Sequence, residues 1–158
     1  MTRVNRCFAI ILSLFVTLLS VQVGYAEERS CAELESRMLH DAFTPRTWET
    51  LYKSYRSYRL CDDGAIGEGY SESVARLLVD HWNTLPQLAH LARKDAEFRA
   101  FVMRHVDATL NMDDVEKIRK SAKTLCPTGL RTVCNGLAKQ ADSALKEDAA
   151  SPDDAARP

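Results

Sequence analysis

Four carboxylates lie between positions 62 and 72: Asp62, Asp63, Glu68 and Glu72. Glu68 and Glu72 are four residues apart, so a helix through this stretch puts them on one face. Paired carboxylates serve as acid and base in glycoside hydrolysis, and carboxylate oxygens also hold hard cations. The spacing is not that of an EF-hand loop, however, and two glutamates on one side of a helix are ordinarily solvated. A hydrolase reading would make Glu68 or Asp63 the general acid, which requires a cleft and a raised pKa. The glycines Gly64, Gly67 and Gly69 do not form a dinucleotide fingerprint. No strand precedes them, the spacing differs, and the adjacent carboxylates repel phosphate. Close packing of another helix explains them better.

The other reactive side chains make weaker patterns. Ser71 lacks the second glycine and the preceding strand of a nucleophile elbow. Ser143 and Lys146 match an SxxK string, without its companion motifs and in a chain too short for that fold. His81 and His105 fall on apolar stripes, where a histidine is more often a hydrogen-bonded core residue than a base or ligand. There is no zinc-type histidine spacing, no CxxC and no CxxCH, so the sequence calls for no metal and no cofactor. Trp48, Tyr52, Tyr55 and Tyr58, beside Lys53, Arg56 and Arg59, make a second notable surface. Tyrosine and arginine favour binding hot spots. The simpler reading puts Trp48, Tyr52 and Tyr55 in the core and leaves the basic groups wet. Tyr58 lies off that stripe and is the best candidate for an exposed aromatic. The candidate contact residues are thus Tyr58, Arg59, Asp62, Asp63, Glu68 and Glu72.

The elements that position these residues begin with a targeting segment. Arg3 and Arg6 precede an uncharged run from Phe8 to Val23, and Gly24-Tyr25-Ala26 places small residues at the −3 and −1 positions of a cleavage site. This reads as a signal peptide (1–26) cleaved after Ala26, leaving no transmembrane anchor. Loss of Arg3 and Arg6 takes the formal net charge from −1 to about −3, and a chain without a basic excess does not suit nucleic acid. Cys7 leaves with the signal, and Cys31, Cys61, Cys126 and Cys134 remain, an even set suited to an oxidising compartment. Of the three possible pairings, Cys31–Cys61 and Cys126–Cys134 close the shorter loops. The absence of any Asn-x-Ser/Thr site fits a bacterial periplasm.

The domain (27–146) is expected to be all-α, about seven helices pinned by two disulfides. Ser30 and Glu33 form a capping box for the first helix. Thr44-Pro45 opens the second, with Trp48, Leu51, Tyr52 and Tyr55 inward. The third is a long helix capped by Asp62 or Asp63. Its stripe is Ile66, Tyr70, Val74, Leu77, Leu78, His81, Trp82 and Leu85. Thr84 and Gln87 make a capping-box pattern for the fourth, and Asp95 caps the fifth, which buries Phe98, Phe101, Val102, His105, Val106 and Leu110. Asn111 caps the sixth, with Val115, Ile118, Ala122 and Leu125 beneath, and Cys126-Pro127 stops it. Thr128 starts the last, with Leu130, Val133, Cys134, Leu137, Ala141 and Leu145 inward. Residues 147–158 read as a disordered tail, and no alternating run predicts a strand. The failed catalytic patterns favour a non-enzymatic, exported binding or inhibitor module, or an accessory of an envelope complex, whose partner is a periplasmic or envelope protein. A small cell-wall hydrolase is the alternative.

Overall fold

The computed structural model describes Cys31 and residues 36–150. The segment read as a signal peptide, the Ser30/Glu33 capping box and residues 151–158 lie outside the described residues. The chain divides into two units, Met1–Ser36 and Arg37–Pro158, and the following concerns the second. Its described residues are helical and contain no strand, as the periodicity predicts. The helices are α1 (residues 36–43 of it described), α2 (Trp48–Tyr58), α3 (Gly64–Asp80), α4 (Leu85–Lys94), α5 (Ala96–Arg104), α6 (Met112–Thr124) and α7 (Arg131–Ala149). Single 3₁₀ turns, Arg59–Cys61 and Trp82–Thr84, precede α3 and α4.

Aromatic side chains join α2, α3 and α5. Phe101 is fully buried, with ring centroids of Tyr55 at 4.8 Å, Tyr70 at 5.0 Å, Phe98 at 5.9 Å and His105 at 4.4 Å. Burying rings of this size supplies much of a core's apolar area, and the edge-to-face pairs add a little more. The polar ends of the rings are satisfied: Tyr70 Oη lies 2.9 Å from Ser54 Oγ, and Tyr52 Oη donates to Asp95 Oδ2 at 3.1 Å. Asp95 also caps α5 as expected, accepting from the Phe98 N–H at 2.9 Å. Beyond this cluster, α6 and α7 form a hairpin whose turn is clipped by the Cys126–Cys134 disulfide. Cys61 is disulfide-bonded as well.

Several boundaries differ from the sequence expectation, each for a local reason. Thr44 does not open α2. Its N–H and hydroxyl both donate to the His40 carbonyl, so it closes α1. The cap of α2 is Thr47, in a reciprocal capping box with Thr50. α3 stops at Asp80, so His81 leaves the apolar stripe and is exposed, and its carbonyl accepts from Thr84 N and Oγ1. Thr84 therefore makes no side-chain cap to α4, and its hydroxyl instead accepts from Trp48 Nε1 at 2.9 Å. Leu125 falls on the C-cap of α6 and is 62% exposed rather than buried. The last helix begins at Arg131 instead of Thr128, because the turn passes through Gly129 at φ +81°, a left-handed conformation that cannot start a helix. α7 then runs to Ala149, beyond the expected start of the tail. The long form of α3 is as expected: Asp63 Oδ1 accepts from the Gly64 N–H, and Ile66, Tyr70, Val74, Leu77 and Leu78 are buried.

Candidate functional site

The stretch that joins α2 to α3 carries the candidate residues, and the fold gives them different fates. The 3₁₀ turn brings the chain round to Asp62, whose carboxylate points inward with its side chain only 6% exposed. There it meets the C-terminal end of α5. Arg104 Nη2 donates to Asp62 Oδ2 at 2.7 Å, and His105 Nε2 lies 3.1 Å from Oδ1 and 3.3 Å from Oδ2. The ring is directed at Oδ2, and Oδ1 receives no directed hydrogen bond among the described residues. Burial pushes the Asp62 carboxyl up, but the hydrogen bonds and charges of His105 and Arg104 outweigh it and hold it below the ordinary carboxylate value.

The other face of His105 extends the network. Nδ1 lies 3.0 Å from Ser71 Oγ, and Ser71 Oγ also reaches Asp107 Oδ2 at 3.4 Å. Asp107 Oδ1 in turn accepts from the Thr109 N–H at 2.9 Å. Ser71, His105 and Asp62 are the residue types of a hydrolytic triad, but their arrangement is a structural one. Ser71 and His105 are 3% and 5% exposed, so the hydroxyl that would attack a substrate is sealed in the core. Both ring nitrogens are occupied, and the serine faces Nδ1 where the nucleophile of a working triad faces Nε2. The network ties the start of α3, its second turn and the end of α5 together. His105 is the hydrogen-bonded core histidine that its stripe implied. The inward turn of Asp62 has no sequence signal, since Asp62 and Asp63 are equivalent as caps until the 3₁₀ turn orients them.

The remaining candidates reach the surface. Asp63 is exposed and caps α3. Glu68 and Glu72 are both exposed, as one-face spacing implies. Glu72 Oε1 pairs with Arg76 Nε at 3.0 Å, in an ion cluster where Arg76 also meets Asp80 and Asp114. Gly69, between them in sequence, is where α1 approaches. A Cβ there would lie 2.8 Å from two ring carbons of Phe43 and 3.0 Å from Ala42 Cβ. The close-packing role expected of the glycines thus falls to Gly69. Phe43, seated across it, remains 52% exposed, and Leu60, beside Arg59, is 74% exposed. Sequence periodicity gave neither residue a role: Phe43 is the last residue of α1, and Leu60 lies in the 3₁₀ turn after α2.

Tyr58 is half-buried rather than exposed, and its hydroxyl donates to Asp41 Oδ2 at 3.0 Å. Burial, then that bond, pushes its phenol up. Arg59 Nη1 pairs with Glu97 Oε2 at 2.8 Å on the surface. Trp48 and Tyr55 fill the core, while Tyr52 is half-buried. Next to Tyr58, a cleft of about 430 Å³ opens between α1 and α2, lined in part by Arg37, Asp41, Arg46, Lys53 and Ser57. Among the described residues no group of three His, Cys, Asp or Glu side chains is placed to hold a metal ion, and no helix is long and apolar enough to cross a membrane. The chain matches no protein-family model, and no curated protein or solved structure matches it.

Proposed function

We propose that this protein is an exported, non-enzymatic binding module of the cell envelope, acting as an inhibitor or as an accessory to an envelope complex. The observation that carries this reading is the division of its polar groups. The side chains with catalytic potential, Asp62, His105 and Ser71, are buried and spent on one another. Glu68 and Glu72 face solvent on α3, with the half-exposed ring of Phe43 against the intervening Gly69. An apolar knob flanked by carboxylates suits a partner protein with an apolar recess and a basic rim. Exposed aromatics anchor interfaces by filling pockets, and rim charges govern approach and selectivity. The disulfides support a place in an oxidising compartment.

The test is a pair of variants, Phe43→Ser and Glu68→Lys, assayed for partner binding alongside thermal unfolding. Phe43→Ser should weaken binding mainly through faster dissociation, and Glu68→Lys mainly through slower association at low salt. Full partner binding by both variants, with native unfolding curves, would remove this surface from the reading. Turnover of purified peptidoglycan that Glu68→Gln abolishes would replace the binding reading with the cell-wall hydrolase.

A further inference from the structure

The cleft between α1 and α2 concentrates positive charge in a protein whose formal net charge is −1. Arg37, Arg46 and Lys53 line it, and among the described residues Asp41 is the one carboxylate in the lining. Asp41 is already engaged by the Tyr58 hydroxyl at 3.0 Å. Lys53 pairs with Glu49 at 3.8 Å, with both side chains mostly exposed, a pair too loose and too solvated to neutralise it. Thr44, Thr50, Ser57 and Tyr58 line the same cleft. Cations arranged around hydroxyls match a ligand that has an oxyanion at one end and hydroxyls at the other. The arginines bind phosphate oxygens through paired N–H groups; the Thr44, Thr50 and Tyr58 hydroxyls spend their hydrogens on His40 O, Thr47 O and Asp41 and so offer an alcohol their lone pairs, while Ser57 can both donate and accept. The volume of about 430 Å³ lies within the range of small-ligand sites.

We infer that this cleft is a binding site for a phosphorylated polyol, of glycerol-phosphate or sugar-phosphate type. The phosphate sits among Arg37, Arg46 and Lys53, and the hydroxylated body faces Thr50, Ser57 and Tyr58. The inference stands apart from the proposed protein-binding surface, since the three cations contribute nothing to the Glu68–Phe43 face. The same chemistry is offered by a free phosphorylated polyol and by the headgroup of phosphatidylglycerol, so the source is settled by experiment.

The test uses the oxidised exported protein at low salt. Glycerol 3-phosphate, inorganic phosphate and sulfate are titrated by calorimetry, and vesicles with and without phosphatidylglycerol are assayed by sedimentation. Glycerol 3-phosphate should bind saturably and more tightly than either inorganic ion. Arg37→Gln and Lys53→Gln should each weaken it about tenfold, the loss expected for one charge-assisted hydrogen bond, with thermal unfolding unchanged because both side chains are exposed. Vesicle binding that glycerol 3-phosphate competes away identifies a lipid headgroup as the source. Binding of the soluble ligand without vesicle binding identifies a free metabolite. Equal affinity for sulfate and glycerol 3-phosphate, affinity untouched in both variants, or no saturable binding at millimolar ligand would each overturn the inference.

Discussion

Replacing Asp62 with asparagine tests whether the buried network is a structural lock. The substitution keeps the shape of the side chain and removes its charge. On the His105 side both partners are buried, with 7% and 6% side-chain exposure, and a hydrogen bond to a charged group contributes about 1.5–3 kcal/mol. On the other side Arg104 is 54% exposed, so that arm is discounted to below about 1 kcal/mol. Asparagine recovers part of the loss, because it no longer confines a charged oxygen that lacks a directed hydrogen bond. The expected net cost is about 2 kcal/mol, or roughly 8 °C in Tm for a domain of this size. The pH dependence follows from the direction of the shift. The Asp62 carboxyl is held below its ordinary value of 3.8. Its contribution is therefore complete above that pH and is lost as pH falls through the lower, folded-state value. Urea unfolding followed by circular dichroism should show wild type and Asp62→Asn separated at pH 7 and converging in strong acid. A difference below about 0.5 kcal/mol at pH 7, or one that persists undiminished in acid, would refute the reasoning.

The glycines of α3 separate conformational cost from packing. Gly67→Ala should stabilise by up to about 1 kcal/mol, since helix propensity improves and its Cβ would meet Asp62 Oδ1 at an ordinary 3.7 Å. Gly69→Val should destabilise by about 1–3 kcal/mol, because the added carbons must displace Ala42 and Phe43; paired chemical melts distinguish the two signs. Removing the hairpin clip with Cys126→Ala and Cys134→Ala should cost about 2–3 kcal/mol, as the bond closes a short loop with a separation of 8 residues. The same loss should appear in wild type on reduction if Cys126–Cys134 is the bond first attacked, and peptide mapping after partial reduction would show it.

The helical class, the caps at Asp63, Asp95 and Asn111, and the buried stripe from Ile66 to Leu78 were legible because they depend on neighbours within one or two turns. The errors have a common physical source. Thr44 and Thr84 have the right chemistry for caps, but each hydroxyl finds a nearer or more distant partner that the local pattern does not encode. His81 and Leu125 continue their stripes in register yet are the C-cap residues of α3 and α6, where the backbone leaves the helix and the side chain no longer faces inward. The site was less legible than the fold. Asp62, Ser71 and His105 meet only because α5 packs against the start of α3, with sequence separations of 43 and 34. Likewise, the basic cleft draws Arg37 and Lys53 from two helices, and neither helix alone marks them as neighbours.

The central claim, that this protein works by binding another protein through the Phe43–Glu68 face, is tested most directly by quantitative capture. Oxidised, tagged protein would be incubated with periplasmic extract beside the Phe43→Ser/Glu68→Lys double variant, and the bound material identified by mass spectrometry. The expected result is one partner in stoichiometric amount on the wild-type protein and its loss from the folded double variant. Equal recovery of that partner on both would contradict the placement. Failure of either to retain a protein, together with thinning of purified cell wall by the wild type, would contradict the binding account itself.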